Sequence, residues 1–168
     1  MARKKQIPTI EGLSEDTRRF MEDLQQETDR GVALVAAAFL DDVLTSTLRG
    51  AFVDDEAPVN ELLAHGGFGG RINLAYCMAL IKRTEYDDLK IILDIRKEFG
   101  HKHHPASFEE AGVKQRCEKL NLKRYLAIPG IRRLAAAARF RMILAVSLLA
   151  STLLGRARSL RHAGADEL

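Results

Sequence analysis

A short stretch near the middle of the chain, Arg96-Lys-Glu-Phe-Gly-His101, combines a permanent cation with a side chain that exchanges protons near neutral pH. Such a pair could cleave RNA. The Arg96 guanidinium would neutralise the scissile phosphate while His101 moves a proton at the 2′-hydroxyl. Geometry sets a condition, because five residues of unbroken helix turn the second side chain about 140° away from the first. We therefore expect Gly100 to end a helix, so that His101 swings back towards Arg96.

The same two residues also have a structural explanation. Arg96 would pair with a helix carboxylate such as Asp94 or Glu98, and His101 would cap the end of the helix, where a cation complements the helix dipole. The spacing by itself is not specific, since Arg156 and His162 also satisfy it. Catalysis and a structural role therefore both remain open at this point.

Basic residues are concentrated in the C-terminal third of the chain. Residues 1–112 hold 14 Lys and Arg against 20 Asp and Glu, whereas residues 113–168 hold 12 against 3. The net charge of +3 thus divides into −6 and +9. A basic surface of this kind could meet the acidic part of its own chain, a second copy, an acidic protein or a phosphate backbone. The residues expected to bind nucleic acid or a partner are Arg71, Arg132, Arg133, Arg139 and Arg141.

Two other clusters have the residue types of a binding site without its spacing. The stretch HGGFGG at residues 65–70 lacks both the Lys-Ser/Thr of a P-loop and the strand that precedes a dinucleotide fingerprint, so we expect a flexible connector ahead of Arg71. His101, His103 and His104 are close in sequence, but catalytic zinc signatures place paired histidines one helical turn apart. We predict neither a metal nor a cofactor.

The composition is typical of a globular protein in a reducing compartment. The 168 residues, 18.7 kDa, fit one domain. Cys77 and Cys117 do not form a zinc-binding pair, and we expect Cys77 to pack within an apolar helix face. The longest run without a charge, Met142–Gly155, has 14 residues, fewer than the roughly 20 that cross a bilayer. We therefore expect a cytoplasmic protein that does not span a membrane.

Apolar residues recur at spacings of three and four along most of the chain, and alternation with a period of two is lacking. The pattern predicts an all-α, single-domain bundle of about six helices. We expect an N-terminal tail at residues 1–13, the helical domain at 14–160 and a C-terminal tail at 161–168. Ser14 is the predicted N-cap of the first helix, and Gly31 a kink or break in it. The expected helices cover about residues 14–50, 59–64, 71–81, 84–99, 107–118 and 129–160.

Two sequences have the form of a capping box, in which a hydroxyl at the start of a helix and an acid three residues later satisfy each other's amides. They are Thr84 with Asp87, and Ser107 with Glu110. We expect a helix to begin at each.

Three blocks in the centre of the chain carry a resemblance to a known family: RINLAYCMALI at residues 71–81, EYDDL at 85–89 and IRKEFGH at 95–101. Together with GVALVAAAFLD at 31–41 and FRMILAVSLL at 140–149, they resemble the mannitol operon repressor (MtlR-like) family over about residues 28–155. The chain departs from that family in two places. It has Gly where Asn or Ala usually precedes the His, and HGGFGG replaces an acidic-Pro-Leu-Gly stretch.

The resemblance implies a bacterial, cytoplasmic, helical regulator that represses sugar-alcohol uptake genes without a standard DNA-binding motif. Repression would then act through a partner protein, RNA or direct operator contact. The Arg96–His101 spacing also resembles the Arg-x4-His motif of the HEPN helical-domain superfamily, many of whose members are RNA-cutting toxins. That likeness implies an alternative function, a metal-independent ribonuclease in a toxin or defence system. We further expect a homodimer, in which the Ala-rich helix and the last helix pack across a two-fold axis.

Overall fold

A computed structural model describes Ile10, residues 13–101 and residues 107–165, with residues 161–165 described by their backbone alone. All regular structure in these residues is helical, which confirms the predicted all-α class. They form nine helices rather than the expected six or so. The helices are α1 (Glu15–Gln26), α2 (Asp29–Arg49), α3 (Glu56–Ala64), α4 (Gly67–Cys77), α5 (Arg83–His101), α6 (Ala111–Glu118), α7 (Lys123–Leu126), α8 (Pro129–Leu134) and α9 (Ala138–Ala165).

The helix count differs because α7 lies where no helix is expected, between residues 118 and 129, and because two of the expected helices are divided. The first breaks after Gln26, where the Thr28 hydroxyl accepts the amide of Gly31 at 3.0 Å and caps α2, so Gly31 lies inside the first turn. The last divides at residues 135–137 into α8 and α9. Its backbone stays helical as far as Ala165, so the C-terminal tail expected from residue 161 begins inside α9.

Capping side chains fix several helix starts. The predicted N-cap Ser14 accepts the amide of Thr17 at 3.2 Å. The capping box expected at Thr84 is displaced, because the acid that binds back is Glu85, which accepts the Lys82 amide at 2.7 Å. In the second box the Ser107 amide donates to Glu110 as expected, at 3.1 Å, although α6 itself begins only at Ala111.

The core forms around α2, which packs against α1, α4, α5 and α9. Small side chains on α2 at Ala33, Ala36 and Ala37 are buried and allow these neighbours to approach closely. Phe99 of α5 and Phe108, which lies just before α6, are both fully buried, with ring centroids 5.0 Å apart. The buried side chains make one continuous hydrophobic cluster, which fixes where the surface side chains stand.

Two helical stretches, Asp29–Arg49 and Ala138–Leu160, are long and apolar enough to cross a membrane by length and composition. Inside the bundle, 50% and 61% of their apolar windows are buried against other helices. Burial of that kind is also found in the core helices of globular proteins. The expectation of a protein outside the membrane stays a prediction.

Candidate functional site

The structure places Arg96 and His101 on one continuous helix. Gly100 does not end α5, which runs through His101, so the expected return of the imidazole towards the guanidinium is not found. Five residues of helix separate the two side chains by about 140° around the axis and about 7.5 Å along it. Both residues are exposed, and no hydrogen bond or ion pair links them in the part of the chain that is described.

The structural role expected for Arg96, an ion pair with a carboxylate of its own helix, is not found either. The Glu98 carboxylate forms an ion pair with Arg116 of α6, and Asp94 lies 4.0 Å from the Lys97 ammonium. Arg96 has no ion-pair partner among the described residues and instead lines a groove. Its guanidinium is therefore available to a ligand or a partner.

The groove, with a volume of about 680 Å³, lies between α2, the beginning of α4 and the end of α5. Arg96 and Lys97 line it on the α5 side, and Asp41 and Arg71 line it on the α2 and α4 sides. Its apolar lining consists of Leu34, Ala37, Ala38, Phe68 and Leu93. The volume is in the range of small-ligand clefts.

Arg71, expected to bind an anion or a partner, is engaged inside the fold. Its guanidinium donates through Nε and Nη2 to the two carboxylate oxygens of Asp41, both at 2.6 Å, and through Nη1 to the carbonyl of Leu63 at 2.6 Å. The hydrogen bond with Asp41 raises the pKa of Arg71 above its usual value. This fork joins α2 to α4, so Arg71 forms a wall of the groove instead of a free cation.

The glycine-rich stretch is part of a helix rather than the expected connector. α4 begins at Gly67, after Gly66 turns the chain with a φ of 77°. A Cβ on Gly66 would lie 3.0 Å from the Cα of Gly70, so a side chain would strain this turn. HGGFGG thus starts a helix beside the groove and brings its backbone close to α5, where a Cβ on Gly69 would meet Leu93.

Arg139 joins three parts of the chain. Its Nη1 donates to Asp29 at 2.7 Å, and its Nη2 donates to the carbonyls of Leu24 and Gln25, both at 3.2 Å, and of Glu27. Burial opposes ionisation of Asp29, but hydrogen bonds from Arg139, the Phe108 amide and the Ser107 hydroxyl outweigh it and lower the pKa of the carboxyl. Arg139 therefore stabilises the α1–α2 junction from α9.

The remaining predicted arginines differ in exposure. Arg141 is half-buried and donates to the carbonyl of Ala135 at 2.8 Å, which holds the start of α9. Arg132 and Arg133 are exposed on α8. They lie close in sequence to Lys123 and Arg124 of α7, which are also exposed, and α7 packs against α8.

Ile128, in the turn between α7 and α8, is 41% exposed. We give the name basic face to five exposed residues that are close in sequence on α7, on α8 and in the turn between them: Lys123, Arg124, Ile128, Arg132 and Arg133. Its four cations take part in none of the ion pairs between described residues. The guanidinium of Arg124 also lies 6.0 Å from the centre of the Tyr125 ring.

The two cysteines lie in different environments. Cys117 is buried, and burial raises the pKa of its thiol to about 12. Cys77 is exposed at the end of α4, contrary to the expected packing. Within the described residues no group of three His, Cys, Asp or Glu could hold a metal ion, and His103 and His104 lie outside them.

Three acidic residues with clear structural roles were absent from the sequence-based candidates: Asp29, Asp41 and Asp88. A signal existed for Asp88. It precedes Ile92, Ile95 and Phe99 at spacings of four, three and four, which is the register of the buried face of α5. Asp29 and Asp41 gave no such signal, because their partners lie far away in sequence.

Comparison with known proteins shows that the chain shares its fold with a chain of a solved structure. No protein-family model matches the chain, and no curated protein matches it. The chain is similar to one in the X-ray structure of the MtlR–HPr complex from Escherichia coli, with a TM-score of 0.64 and 20% sequence identity. The match covers 84% of this chain and 99% of the other. At this identity the likeness shows a shared fold, which supports the MtlR-like fold expected from the central blocks.

Proposed function

We propose that the protein is a non-enzymatic regulator of the mannitol operon repressor type, which acts by binding a protein partner. The helical fold that it shares with a chain of the MtlR–HPr complex supports a regulatory role based on protein–protein contact. HPr, or an HPr-like protein of the same cell, is the first partner to consider. The proposal includes a cytoplasmic homodimer that lowers transcription of its target genes.

The basic face is the observation that carries this proposal. Most of the other arginines expected to bind a partner are used inside the fold, whereas Arg132 and Arg133 are exposed and form no ion pair among the described residues. Ile128 provides an exposed apolar group between charged neighbours. An apolar centre with a charged rim is the common anatomy of a protein–protein interface.

The short helices of the basic face favour a protein over a DNA operator. α7 has four residues and α8 has six, whereas a recognition helix in the major groove presents base-reading side chains along an exposed face. Four cations around an isoleucine suit an acidic protein surface with an apolar contact of its own. Binding to nucleic acid is measured separately, in the titrations with DNA and RNA described below.

The test measures binding of purified HPr by calorimetry, at low and at high salt. Substitution of Arg132 and Arg133 by Glu should weaken binding about tenfold or more, because it reverses two of the four charges of the face. Substitution of Lys114 and Lys119 by Glu makes the same change in net charge on exposed residues outside the face and should leave the affinity nearly unchanged. HPr binding that is absent, or equal in both variants, would contradict the proposed surface.

Parallel titrations with duplex DNA and with RNA separate the protein partner from nucleic acid. We expect weak binding that falls steeply with salt, as for any basic surface. Tight DNA binding that persists at physiological salt would instead make the basic face an operator-binding surface. Light scattering on the same samples should give the mass of a dimer, and a monomer would refute that part of the proposal.

A ribonuclease remains the alternative, and one observation favours it: Arg96 lines the groove and is not used by an ion pair of the described residues. His101 is on the same helix but turned away, so a productive site would need the imidazole of a second subunit. Incubation of RNA with the wild type and with the Arg96→Ala/His101→Ala variant tests this. Cleavage by the wild type alone would establish the ribonuclease, and equal products would exclude these residues.

A further inference from the structure

A second cavity lies on the other side of α5, between α5, α7 and α9. It has a volume of about 220 Å³. The cavity is open to solvent and has room for a small molecule of a few non-hydrogen atoms. Its polar lining includes Asp88, the Thr84 and Thr152 side chains, and Tyr125. Its apolar lining consists of Leu122, Ala145, Leu148 and Leu149.

Asp88 is the unusual residue of this cavity, because a carboxyl that is only 8% exposed has no cationic partner. Its Oδ1 accepts the backbone amide of Asn121 at 2.9 Å, and no arginine or lysine among the described residues forms an ion pair with it. A buried carboxylate in a protein is normally paired, because desolvating its charge costs free energy.

The neighbouring charges do not neutralise Asp88. Glu85, which also lines the cavity, is held by Arg156 through two hydrogen bonds of 3.0 and 3.1 Å. Asp87 is held by Arg83 on the outer face of α5. Lys82 lines the exposed edge of the cavity without reaching ion-pair distance of Asp88.

The titration behaviour of Asp88 agrees with this geometry. Burial, together with the negative charges of Asp87 and Glu85, raises the pKa of Asp88 to about 6, against the lowering effect of the Asn121 amide. At neutral pH the carboxyl is therefore mostly ionised, and Lys82, the cation among the lining residues, is not within ion-pair distance of it.

We propose that this cavity is a binding site for a small primary amine, whose ammonium group pairs with Asp88. A short apolar stem would lie against Leu122, Leu148 and Leu149 of the same cavity. The Thr84 and Tyr125 side chains at the lining can accept a remaining ammonium hydrogen. The ligand class follows from three features together: the small volume, the single buried carboxylate and the apolar wall.

The site shares no lining residue with the basic face or with the groove that Arg96 lines, although it adjoins the basic face at Tyr125 of α7. Bound amine would connect α5 with α7 and α9, because the lining residues come from all three helices. It supplies the counter-charge that the fold leaves out, so binding should stabilise the protein against unfolding.

The experiment uses n-butylamine as the probe and 1-butanol as its neutral analogue of the same size. Binding is followed by calorimetry at pH 7 and by the NMR shift of the Asn121 amide, which bonds directly to Asp88. We expect saturable binding of the amine, with an affinity at least about tenfold above that of the alcohol. Equal binding of both compounds, or no saturable binding of the amine, would overturn the proposal.

Three variants give this test its specificity. Asp88→Asn keeps an acceptor for the Asn121 amide but removes the charge, and it should lower amine affinity about tenfold or more. Asp94→Asn removes an exposed negative charge of α5 that is outside the cavity lining, and this variant should bind the amine as the wild type does. Ala145→Leu places a larger side chain in the cavity while Asp88 stays ionised, so it should abolish amine binding. Circular dichroism of this variant checks that its helix content is that of the wild type.

The affinity for the amine should fall as the pH is lowered. Below pH 6 the Asp88 carboxyl gains its proton, so amine affinity should fall by up to about tenfold for each further pH unit. Affinity in the Asp88→Asn variant should be flat over the same range. A wild-type affinity that is unchanged between pH 7 and pH 5 would refute the assignment of Asp88 as the counter-ion.

Discussion

Removing the charge of Arg139 should destabilise the fold without touching an exposed surface. In Arg139→Met the side-chain stem remains, but Asp29 loses its counter-ion and three carbonyls at the end of α1 lose a donor. The Asp29 carboxyl would keep only the Ser107 hydroxyl and the Phe108 amide as partners. The variant therefore leaves a half-buried carboxylate without its cation, which is the costly way to break an ion pair.

The size of the effect follows from the exposure of the two side chains. Removal of one partner from a buried ion pair costs about 3 to 5 kcal/mol. The Arg139 and Asp29 side chains are 25% and 30% exposed, so solvent reduces that loss. We expect about 2 to 3 kcal/mol, which for a chain of this length lowers the melting temperature by roughly 5 to 10 °C.

Urea and thermal unfolding followed by circular dichroism measure this directly. Arg133→Met is the matched control, because it removes the same charge from an exposed residue without an ion pair and should cost less than about 0.5 kcal/mol. In the double variant Asp29→Asn/Arg139→Met the loss should be smaller than the sum of the single losses. Equal stabilities of the two Met variants, or additive losses in the double variant, would refute the structural role of Arg139.

Further substitutions test the buried carboxyl of Asp88 and two glycines, Gly155 within α9 and Gly66 before α4. Asp88→Asn should raise the free energy of unfolding at pH 7 by roughly 1 to 2 kcal/mol, because the folded state no longer holds an ionised carboxylate whose pKa is raised to about 6. The stability gained by the variant should shrink towards pH 4, because Asp88 of the folded wild type is already protonated there. Urea unfolding at pH 7 and at pH 4 measures the difference. Gly155→Ala, inside α9 with no atom within 4 Å of the new Cβ, should stabilise by about 0.5 to 1 kcal/mol. Gly66→Ala should lose about 1 to 3 kcal/mol in the same assay, because its φ is 77° and the Cβ would crowd Gly70.

The helical class could be predicted because it depends on local spacing. Apolar residues three and four apart define one face of a helix whatever the rest of the chain does. The face that contains Ile92, Ile95 and Phe99 is buried as the pattern indicates. The cap at Ser14 also depends only on its close neighbours, and it is confirmed.

Helix breaks were harder to predict, because glycine weakens a helix without ending it. A glycine inside a helix costs only about 1 kcal/mol relative to alanine, and packing of the neighbouring residues can outweigh that. α5 therefore continues through Gly100, and α2 contains Gly31 in its first turn. The actual break before α2 is fixed by the hydroxyl of Thr28.

The roles of the arginines depend on contacts that sequence spacing does not reveal. Arg71 and Arg139 were expected on a binding surface together with Arg132 and Arg133. The first two instead find carboxylates 30 and 110 residues away in the chain. Only the folded chain distinguishes a cation that is used internally from one that is exposed.

Hydrogen exchange of the amides, with and without bound HPr, tests most directly whether the chain acts through its basic face. The account predicts slower exchange at residues 123–133 in the complex, with α1 and α3 unchanged. Protection confined to the groove between α2, α4 and α5, or no protection anywhere at saturating HPr, would contradict it.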